Sequence, residues 1–229
     1  MYFKETLKHL ESQIESGCPE ALFQLAQYHY ENKLNYDIGS YDAAYEMAYD
    51  SALHGNPRAE RLLPLISHEI GYEYKTGMCR EKNEKMAEEY FQIGHDYGLV
   101  RSTLELARLH ANKPDSEKCL SLSVQLYTIA AETYNVSACY ELAMLYRERM
   151  HFTQGSDIVV ELLKNASAGG HSGAHYELGF LYYYGIGVEK DIGIGLFLME
   201  KACARFHNTK ALKFIKQAQV IANKKQLSK

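Results

Sequence analysis

Two glycines near the C-terminal end have the spacing of a phosphate-binding loop. Gly185 and Gly187 follow three consecutive tyrosines in the segment LGFLYYYGIGVEKD, which begins at Leu178. A loop that binds the phosphates of a dinucleotide follows a buried strand and carries a third glycine three residues further on. Here Lys190 takes the place of the third glycine, and the tyrosine-rich segment before the loop has a helical pattern. The glycines therefore predict a turn between two helices and no nucleotide cofactor.

Histidines and glutamates at regular spacing suggest two further kinds of chemistry. His171 and His175 are four residues apart, which on one helix would suit a metal ion, but the glycines around His171 predict that it lies outside the helix. Glutamate recurs every 36 residues, at Glu69, Glu105, Glu141 and Glu177. A carboxylate that is present once per interval is typical of a scaffold and not of an acid–base pair. We predict no catalytic residue, no metal site and no cofactor.

The interval of 36 residues belongs to a longer repeat. Similar twelve-residue segments begin at Ala21, Ile66, Ser102, Ala138 and Ala174, at spacings of 45, 36, 36 and 36 residues. Their fifth residue is leucine or isoleucine, their sixth is alanine or glycine, and their ninth is tyrosine or histidine. The first, fifth and ninth residues share one face of a helix. The small sixth residue predicts the close approach of another helix, and a further segment begins at Ala211.

A second helix follows the first in each repeat. It ends at Gly55, Gly98, Tyr134, Gly170 or Phe206. Glycine is favoured at helix ends because it adopts the left-handed backbone conformation without strain. Gly77 and Gly185 are predicted to end the first helices of their repeats in the same way, so GMCREKN and GIGVEKD are equivalent connections.

The copy that begins at Ala174 reads Ala-x-x-x-Leu-Gly-x-x-Tyr-x-x-Gly-x-Gly-Val-x-x-Asp and is followed by a helix with small residues near its end. This pattern resembles the Sel-1-like repeat, and the resemblance extends over residues 18–206. It implies paired antiparallel helices, stacked into a right-handed superhelix that binds proteins or peptides, in a protein of bacterial origin. The repeats from Ser102 and Ala138 depart from the pattern at the connection, which we expect to be reshaped there.

We predict an all-α fold, an α-solenoid of about five antiparallel helix pairs with single capping helices. The predicted parts are an N-terminal capping helix at 1–17, repeats at 18–55, 56–98, 99–134, 135–170 and 171–206, and a C-terminal capping helix with a tail at 207–229. Seven extra residues before Ile66 are expected to extend the first helix of the second repeat, with a kink or break at Pro64.

Composition narrows the class of partner. The formal net charge is −4, which disfavours nucleic acid and anionic membranes as partners. No run of about 18 apolar residues occurs, so we expect no membrane span. The opening segment lacks the apolar core of a signal peptide, and the odd number of cysteines, 5, predicts reduced thiols. We therefore expect a cytoplasmic protein, and export would require a leader outside this sequence.

The partner-binding face is predicted from the third, seventh and tenth residues of the segments. These residues lie opposite the first on a helical wheel at about 100° per residue. In a tetratricopeptide-like superhelix this face lines the concave groove, and Tyr, Met and Arg are enriched where proteins bind partners. The predicted partner-binding residues are Phe23, Tyr30, His68, Tyr72, Lys75, Arg108, Tyr140, Met144, Arg147, Tyr176, Phe180 and Tyr183. Lys75, Arg108 and Arg147 would select an acidic segment by charge-assisted hydrogen bonds. The alternative is that the aromatic residues pack between neighbouring helices.

These features favour a non-enzymatic scaffold that binds a partner protein or peptide in its concave groove, as an adaptor or regulator. The resemblance also implies a second role, that of an immunity protein that neutralises a bacterial toxin or effector. An enzyme with a site in the groove and an array that associates with itself into a larger assembly are further alternatives. The scaffold is our prediction.

Overall fold

The computed structural model of the chain describes residues 2–32, 40–113, 117–149, 156–206 and 208–227, and every regular element in these ranges is an α-helix. The helices are α1 (Tyr2–Glu15), α2 (Pro19–Glu31), α3 (Tyr41–Leu53), α4 (Pro57–Thr76), α5 (Glu84–Asp96), α6 (Val100–Ala111), α7 (Glu117–Glu132), α8 (Val136–Arg149), α9 (Asp157–Ala168), α10 (Ser172–Tyr184), α11 (Ile192–Phe206) and α12 (Thr209–Leu227). The predicted all-α class is confirmed. The reshaped connections expected in the third and fourth repeats fall largely on 114–116 and 150–155, outside the described residues.

The helices form two compact units, which divide between Asn112 and Lys113. In the first unit, each helix from α1 to α6 packs against the next one along the chain. The helices from α7 to α12 do the same in the second unit. Both units are therefore built from helical repeats. The predicted repeat at 99–134 contributes α6 to the first unit and α7 to the second.

The GIGVEKD segment is a connection between two helices, as predicted. Gly185 ends α10 in the left-handed conformation, with a φ of +73°. Asp191 donates its backbone N–H to the carbonyl of Tyr182 (N···O 2.9 Å), and its side chain accepts a bond from the N–H of Ile194 (2.9 Å) in the first turn of α11. A turn with the same pattern joins α4 to α5 after Gly77. The glycines are therefore explained by the backbone conformation that the turn requires.

The helices α10 and α11 cross with their backbones in contact. A Cβ added at Gly179, the small sixth residue of its segment, would lie 2.8 Å from the carbonyl oxygen of Gly195. A Cβ added at Gly195 would lie 2.9 Å from the carbonyl oxygen of Gly179. Carbon and oxygen atoms that are not bonded do not pack this closely in protein interiors. The close approach predicted at the sixth position is confirmed at this crossing.

The helix α4 is 20 residues long and begins at Pro57, so the extra residues before Ile66 extend it as predicted. Pro64 lies inside this helix, which continues past it, and the expected break does not occur. A proline within a helix removes one backbone hydrogen bond. Leu63 and Ile66 on either side are fully buried, and such packing supplies most of the stability of helices in proteins. Burial therefore holds the helix together where its own hydrogen bonding is weakest.

Contacts between the first helices of successive repeats recur at the same two positions. The tenth residue of one segment meets the fourth residue of the next. In the first unit the ammonium of Lys75 on α4 pairs with the carboxylate of Glu105 on α6. In the second unit the guanidinium of Arg147 on α8 donates to Glu177 on α10, with a distance of 2.8 Å between Nη1 and Oε2. We call this set of tenth-to-fourth contacts the inter-repeat ladder.

The last contact of the inter-repeat ladder is between two aromatic rings, whereas the other two are ion pairs. Phe214 is the fourth residue of the segment that begins at Ala211, and it meets Tyr183, the tenth residue of the segment before it. The two ring centroids are 5.0 Å apart and the ring planes are at 89°. This edge-to-face geometry is favourable for aromatic pairs. The terminal helix α12 is therefore docked by the same two positions that hold the earlier repeats.

The carboxylate of Glu105 is held ionised by two cations. Its side chain is only 11 % exposed, and burial alone would raise its pKa. The bonds and charges of Lys75 and Arg108 outweigh this effect and lower the pKa of Glu105 below its ordinary value. A carboxyl group with a lowered pKa in the folded state stabilises the fold at neutral pH, and that stabilisation is lost as the pH falls through the folded-state pKa.

The backbone crossing of α10 and α11 gives the first testable prediction. Gly195→Ala should lower the free energy of unfolding by about 1–3 kcal/mol, because the added methyl group forces the two helices apart. Gly193→Ala in the same helix is the control, since its Cβ would meet only the side-chain oxygen of Asp191, at 3.2 Å. We expect the control to change stability by less than about 1 kcal/mol, because alanine favours the helix. Urea denaturation measures both values, and equal effects of the two substitutions would contradict the predicted crossing.

The inter-repeat ladder gives the second prediction. Glu105→Gln should lower the free energy of unfolding at pH 7 by about 1.5–3 kcal/mol, the usual contribution of a hydrogen bond to a charged group. The difference from wild type should shrink as the pH falls below about 4, because the wild-type carboxylate then takes up its proton. The control is Glu89→Gln, whose ion pair with Lys85 is long (4.0 Å) and exposed. A pH-independent effect of Glu105→Gln would show that shape, and not charge, holds this contact.

Candidate functional site

Two of the predicted partner-binding residues are buried within the first unit. Phe23 on α2 is 6 % exposed and lies under the guanidinium of Arg58, whose central carbon is 4.4 Å from the ring centroid. His68 on α4 is 8 % exposed, and its Nδ1 lies 3.1 Å from the hydroxyl of Ser102 on α6. Burial, together with the charge of Arg101, lowers the pKa of His68 to about 4, so the imidazole is neutral at physiological pH. The structure places both side chains in packing between helices and not on an open face.

The third-position residues of the second unit also contact neighbouring helices. The half-buried ring of Tyr140 stacks on His171, with centroids 4.1 Å apart, and burial raises the pKa of Tyr140. Gly173 lies directly beside this ring, because a Cβ added there would be 2.7 Å from it. Tyr176 is half-buried and packs against a small core formed by Met199 and residues near it. The third position therefore fits the alternative reading, in which aromatic residues pack between helices.

The histidine pair has two separate structural roles. His171 lies just before α10, outside the helix as predicted, and its Nδ1 accepts a bond from the N–H of Ala174 (3.3 Å). His175 lies inside α10, and its Nδ1 is 2.9 Å from the carbonyl oxygen of His171. Burial lowers the pKa of His171. In the part of the chain that the structure describes, no three potential ligands from His, Cys, Asp or Glu come together to hold a metal ion.

In the first unit, the seventh and tenth positions include one exposed aromatic residue. Tyr72 is 43 % exposed, whereas Tyr30 is half-buried and lies 5.7 Å from the ring of Tyr41. Burial, with a smaller effect from the charge of Glu69, raises the pKa of Tyr30. Tyr72 is therefore the aromatic residue that this unit offers to solvent among those predicted to bind a partner.

The three predicted cations all bond to carboxylates of the chain. Lys75 and Arg108 share Glu105, and Arg147 holds Glu177. Burial would lower the pKa of Arg147, but the charge of Glu177 and the bond to it raise it. Lys75 and Arg147 therefore join neighbouring first helices, whereas Arg108 bonds within its own helix, α6.

Four aromatic rings of the second unit are in mutual contact, and we call them the aromatic cluster: Phe180, Tyr183, Tyr184 and Phe214. The ring centroids of Phe180 and Tyr184 are 4.6 Å apart, and Tyr183 and Tyr184 are 5.1 Å apart. Phe214 reaches the other three from α12, at 5.0 to 6.1 Å. Tyr184 is 50 % exposed, so the cluster presents a ring face to solvent. Met144 on α8 is half-buried against the core of this unit.

Sequence reasoning predicted two members of the aromatic cluster and missed two. Phe180 and Tyr183 were expected from the seventh and tenth positions. Tyr184 is the eleventh residue of its segment and was outside the predicted face. Phe214 could have been found, because the column that holds glutamate in four repeats holds phenylalanine in the segment from Ala211. That change marks the place where the contact between repeats turns from an ion pair into aromatic packing.

The groups with shifted pKa values have structural explanations. His68 and Glu105 lie in packing between helices and bond to other side chains of the chain.

None of the described helices has both the length and the apolar content needed to cross a membrane.

Comparison with known proteins identifies the repeat. The sequence profile of the Sel1 repeat matches residues 19–32, 68–94, 136–152 and 172–205. Chitin synthase regulatory factor 3 of the fission yeast Schizosaccharomyces pombe is 27% identical over 184 residues, which is 76% of this chain and 19% of the relative. The chain thus spans about a fifth of the length of this fungal protein.

Solved structures share the arrangement of the helices. A protective antigen of uropathogenic Escherichia coli with an SLR fold has a TM-score of 0.60 and 22% identity, over 86% of this chain and 40% of that one. A Sel1 repeat protein of Oxalobacter formigenes has a TM-score of 0.58 and 20% identity, over 78% of this chain and 67% of that one. The profile match thus shows that the chain carries Sel1 repeats, and the solved structures share its helical-repeat fold.

Proposed function

We propose that the chain is a non-enzymatic protein-binding scaffold whose partner docks on the aromatic cluster. The observation that carries this proposal is the contact of four rings around the half-exposed Tyr184. Aromatic residues that are already ordered bury a large area on binding and lose little conformational freedom. Sel1 repeats are protein-interaction modules, so a protein partner fits the family as well as the site.

The partner surface that suits this cluster is apolar. Phe180 and Phe214 have no polar atoms in their side chains, and Tyr183 and Tyr184 each add a hydroxyl group. A helix or an extended segment that presents leucine, methionine or proline side chains would bury the exposed ring face of Tyr184. Tyr176 on α10 and Met144 on α8 pack in part against the core of the same unit, and we propose the part of each side chain that stays accessible as a secondary contact. Tyr72 is the proposed contact in the first unit.

The cations have a different role in this proposal. Lys75, Arg108 and Arg147 bind glutamates of the chain, so an acidic partner segment would have to compete with Glu105 and Glu177. We assign Lys75 and Arg147 to the stacking of repeats and Arg108 to the support of the Glu105 carboxylate, and none of the three to partner selection. Phe23 and His68 are likewise excluded as direct contacts because they are buried.

An adaptor and an immunity protein would use this surface in the same way. They differ in the identity of the partner, which is a component of the same cell for an adaptor and a toxin or effector for an immunity protein. Identification of the bound protein therefore distinguishes these two roles.

The third prediction tests the aromatic cluster. In a pull-down from native lysate, Tyr184→Ala should lose the partner that the wild type retains, with an affinity at least about tenfold lower. The control is Tyr97→Ala, because Tyr97 is equally exposed, at 51 %, and lies in the other unit. Both variants should keep the wild-type midpoint of thermal unfolding to within a few degrees. If Tyr184→Ala retains the partner as well as Tyr97→Ala does, the aromatic cluster is not the docking site.

The fourth prediction tests the assignment of the cations. The dissociation constant of the identified partner should change by less than about threefold when NaCl rises from about 50 to 500 mM, because the contact is apolar. Isothermal titration calorimetry measures it. A fall in affinity of more than about tenfold over this range would instead favour recognition of an acidic segment.

A further inference from the structure

A cavity of about 570 Å³ opens between α9, α10 and α11 of the second unit and shares no residue with the aromatic cluster. Its size is within the usual range of small-molecule sites, about 300 to 1,000 Å³. Leu178 and Leu198 line it with apolar surface. Lys164 on α9 and Lys201 on α11 also line it, and both side chains are exposed. We call it the lysine cavity.

The preceding repeat contains an equivalent cavity of about 380 Å³ with different charges. Eight of its lining residues stand 36 residues before residues that line the lysine cavity, so Leu142 and Leu162 correspond to the two leucines. Thr128 and Asn165 stand in the places of Lys164 and Lys201. Glu132 stands in the place of Ala168. The apolar lining is thus shared between the repeats, whereas the two cations are found in one cavity and the one carboxylate in the other.

The two lysines of this cavity are not engaged with carboxylates of the chain. Among the residues that the structure describes, neither Lys164 nor Lys201 has an acidic group within ion-pair distance. Lys201 lies over the ring of Phe197, with Nζ 4.6 Å from the centroid, and this contact is with a ring and not with a carboxylate. By contrast, Lys75 and Arg147 in the inter-repeat ladder are paired. The lysine cavity therefore carries positive charge without a counter-charge from the chain.

We propose that the lysine cavity binds an organic carboxylate with an apolar body. The carboxylate pairs with Lys164 and Lys201, and the apolar body lies against Leu178 and Leu198. A carboxylate suits this lining better than a phosphate does, because the cavity has no arginine fork and much of its surface is apolar. The ligand is either a free acid or the C-terminal residue of a peptide, which present the same chemistry.

Octanoate is the probe for this site, and the neutral octanamide is its control. Titration of ¹⁵N-labelled protein with octanoate should shift amide resonances of residues around the lysine cavity, whereas octanamide should shift them at least about fivefold less at equal concentration. Inorganic phosphate should shift none of them beyond the effect of added salt. Equal shifts with octanoate and octanamide, or no shift with octanoate at about 10 mM, would overturn the proposal.

The preceding repeat supplies the residues for a variant that removes both lysines. Lys164→Thr together with Lys201→Asn gives the lysine cavity the residues of the preceding repeat, and both positions are exposed, so the fold should be unaffected. We expect the dissociation constant of octanoate to rise about tenfold, from the loss of two ion pairs. Unchanged octanoate affinity in this double variant would overturn the proposal. Binding of the protein partner should persist in it, which separates this test from that of the aromatic cluster.

The reciprocal variant tests whether the charges suffice. Thr128→Lys, Glu132→Ala and Asn165→Lys together transfer the cationic pattern to the preceding repeat. Resonances of that repeat should then shift with octanoate, whereas an absence of shifts there would show that the cations alone do not create the site. A peptide that ends in leucine, compared with its C-terminally amidated form, distinguishes the two sources of carboxylate. Preference for the free peptide over octanoate would assign the site to a chain terminus.

Discussion

Within each unit the structure depends on one recurring constraint, which is that the first helix of one repeat must be fixed against the first helix of the next. The tenth and fourth positions meet this constraint in both units, by ion pairs at Lys75–Glu105 and Arg147–Glu177 and by an edge-to-face contact at Tyr183–Phe214. The two ion pairs are partly buried, which strengthens their attraction without the full cost of dehydrating both charges. Because these residues hold helices against each other, most of the charged side chains on the predicted binding face are already paired within the chain.

This constraint also explains which part of that face remains open to a partner. Positions that face the following repeat are covered by it, as for Phe23 and His68. In the second unit the ring of Tyr184 contacts Phe180, Tyr183 and Phe214, and half of the residue remains exposed. The exposed aromatic surface therefore lies at the C-terminal end of α10. Both the proposed docking surface and the docking of the terminal helix use Phe214.

The sequence was sufficient to predict the all-α repeat class, the turn at Gly185 and the close crossing at Gly179. Each of these follows from local geometry or from a column of similar residues, which needs no knowledge of distant contacts. The burial of His68 and the pairing of Arg147 could not be predicted in this way. A helical wheel gives the direction of a side chain from its own helix, but not which neighbouring helix lies in that direction. Tyr184 was missed for the same reason, because its exposure depends on the neighbouring helix α12 and not on its position in α10 alone.

The change from an ion pair to an aromatic contact at Tyr183–Phe214 affects how the second unit comes apart. Salt weakens the Arg147–Glu177 contact between α8 and α10, but it leaves the contact of two rings nearly unchanged. Rising ionic strength therefore acts on the joint between α8 and α10 more than on the contact of Tyr183 with Phe214. The packing of α12 against α10 is thus fastened in a way that does not depend on the electrolyte around it.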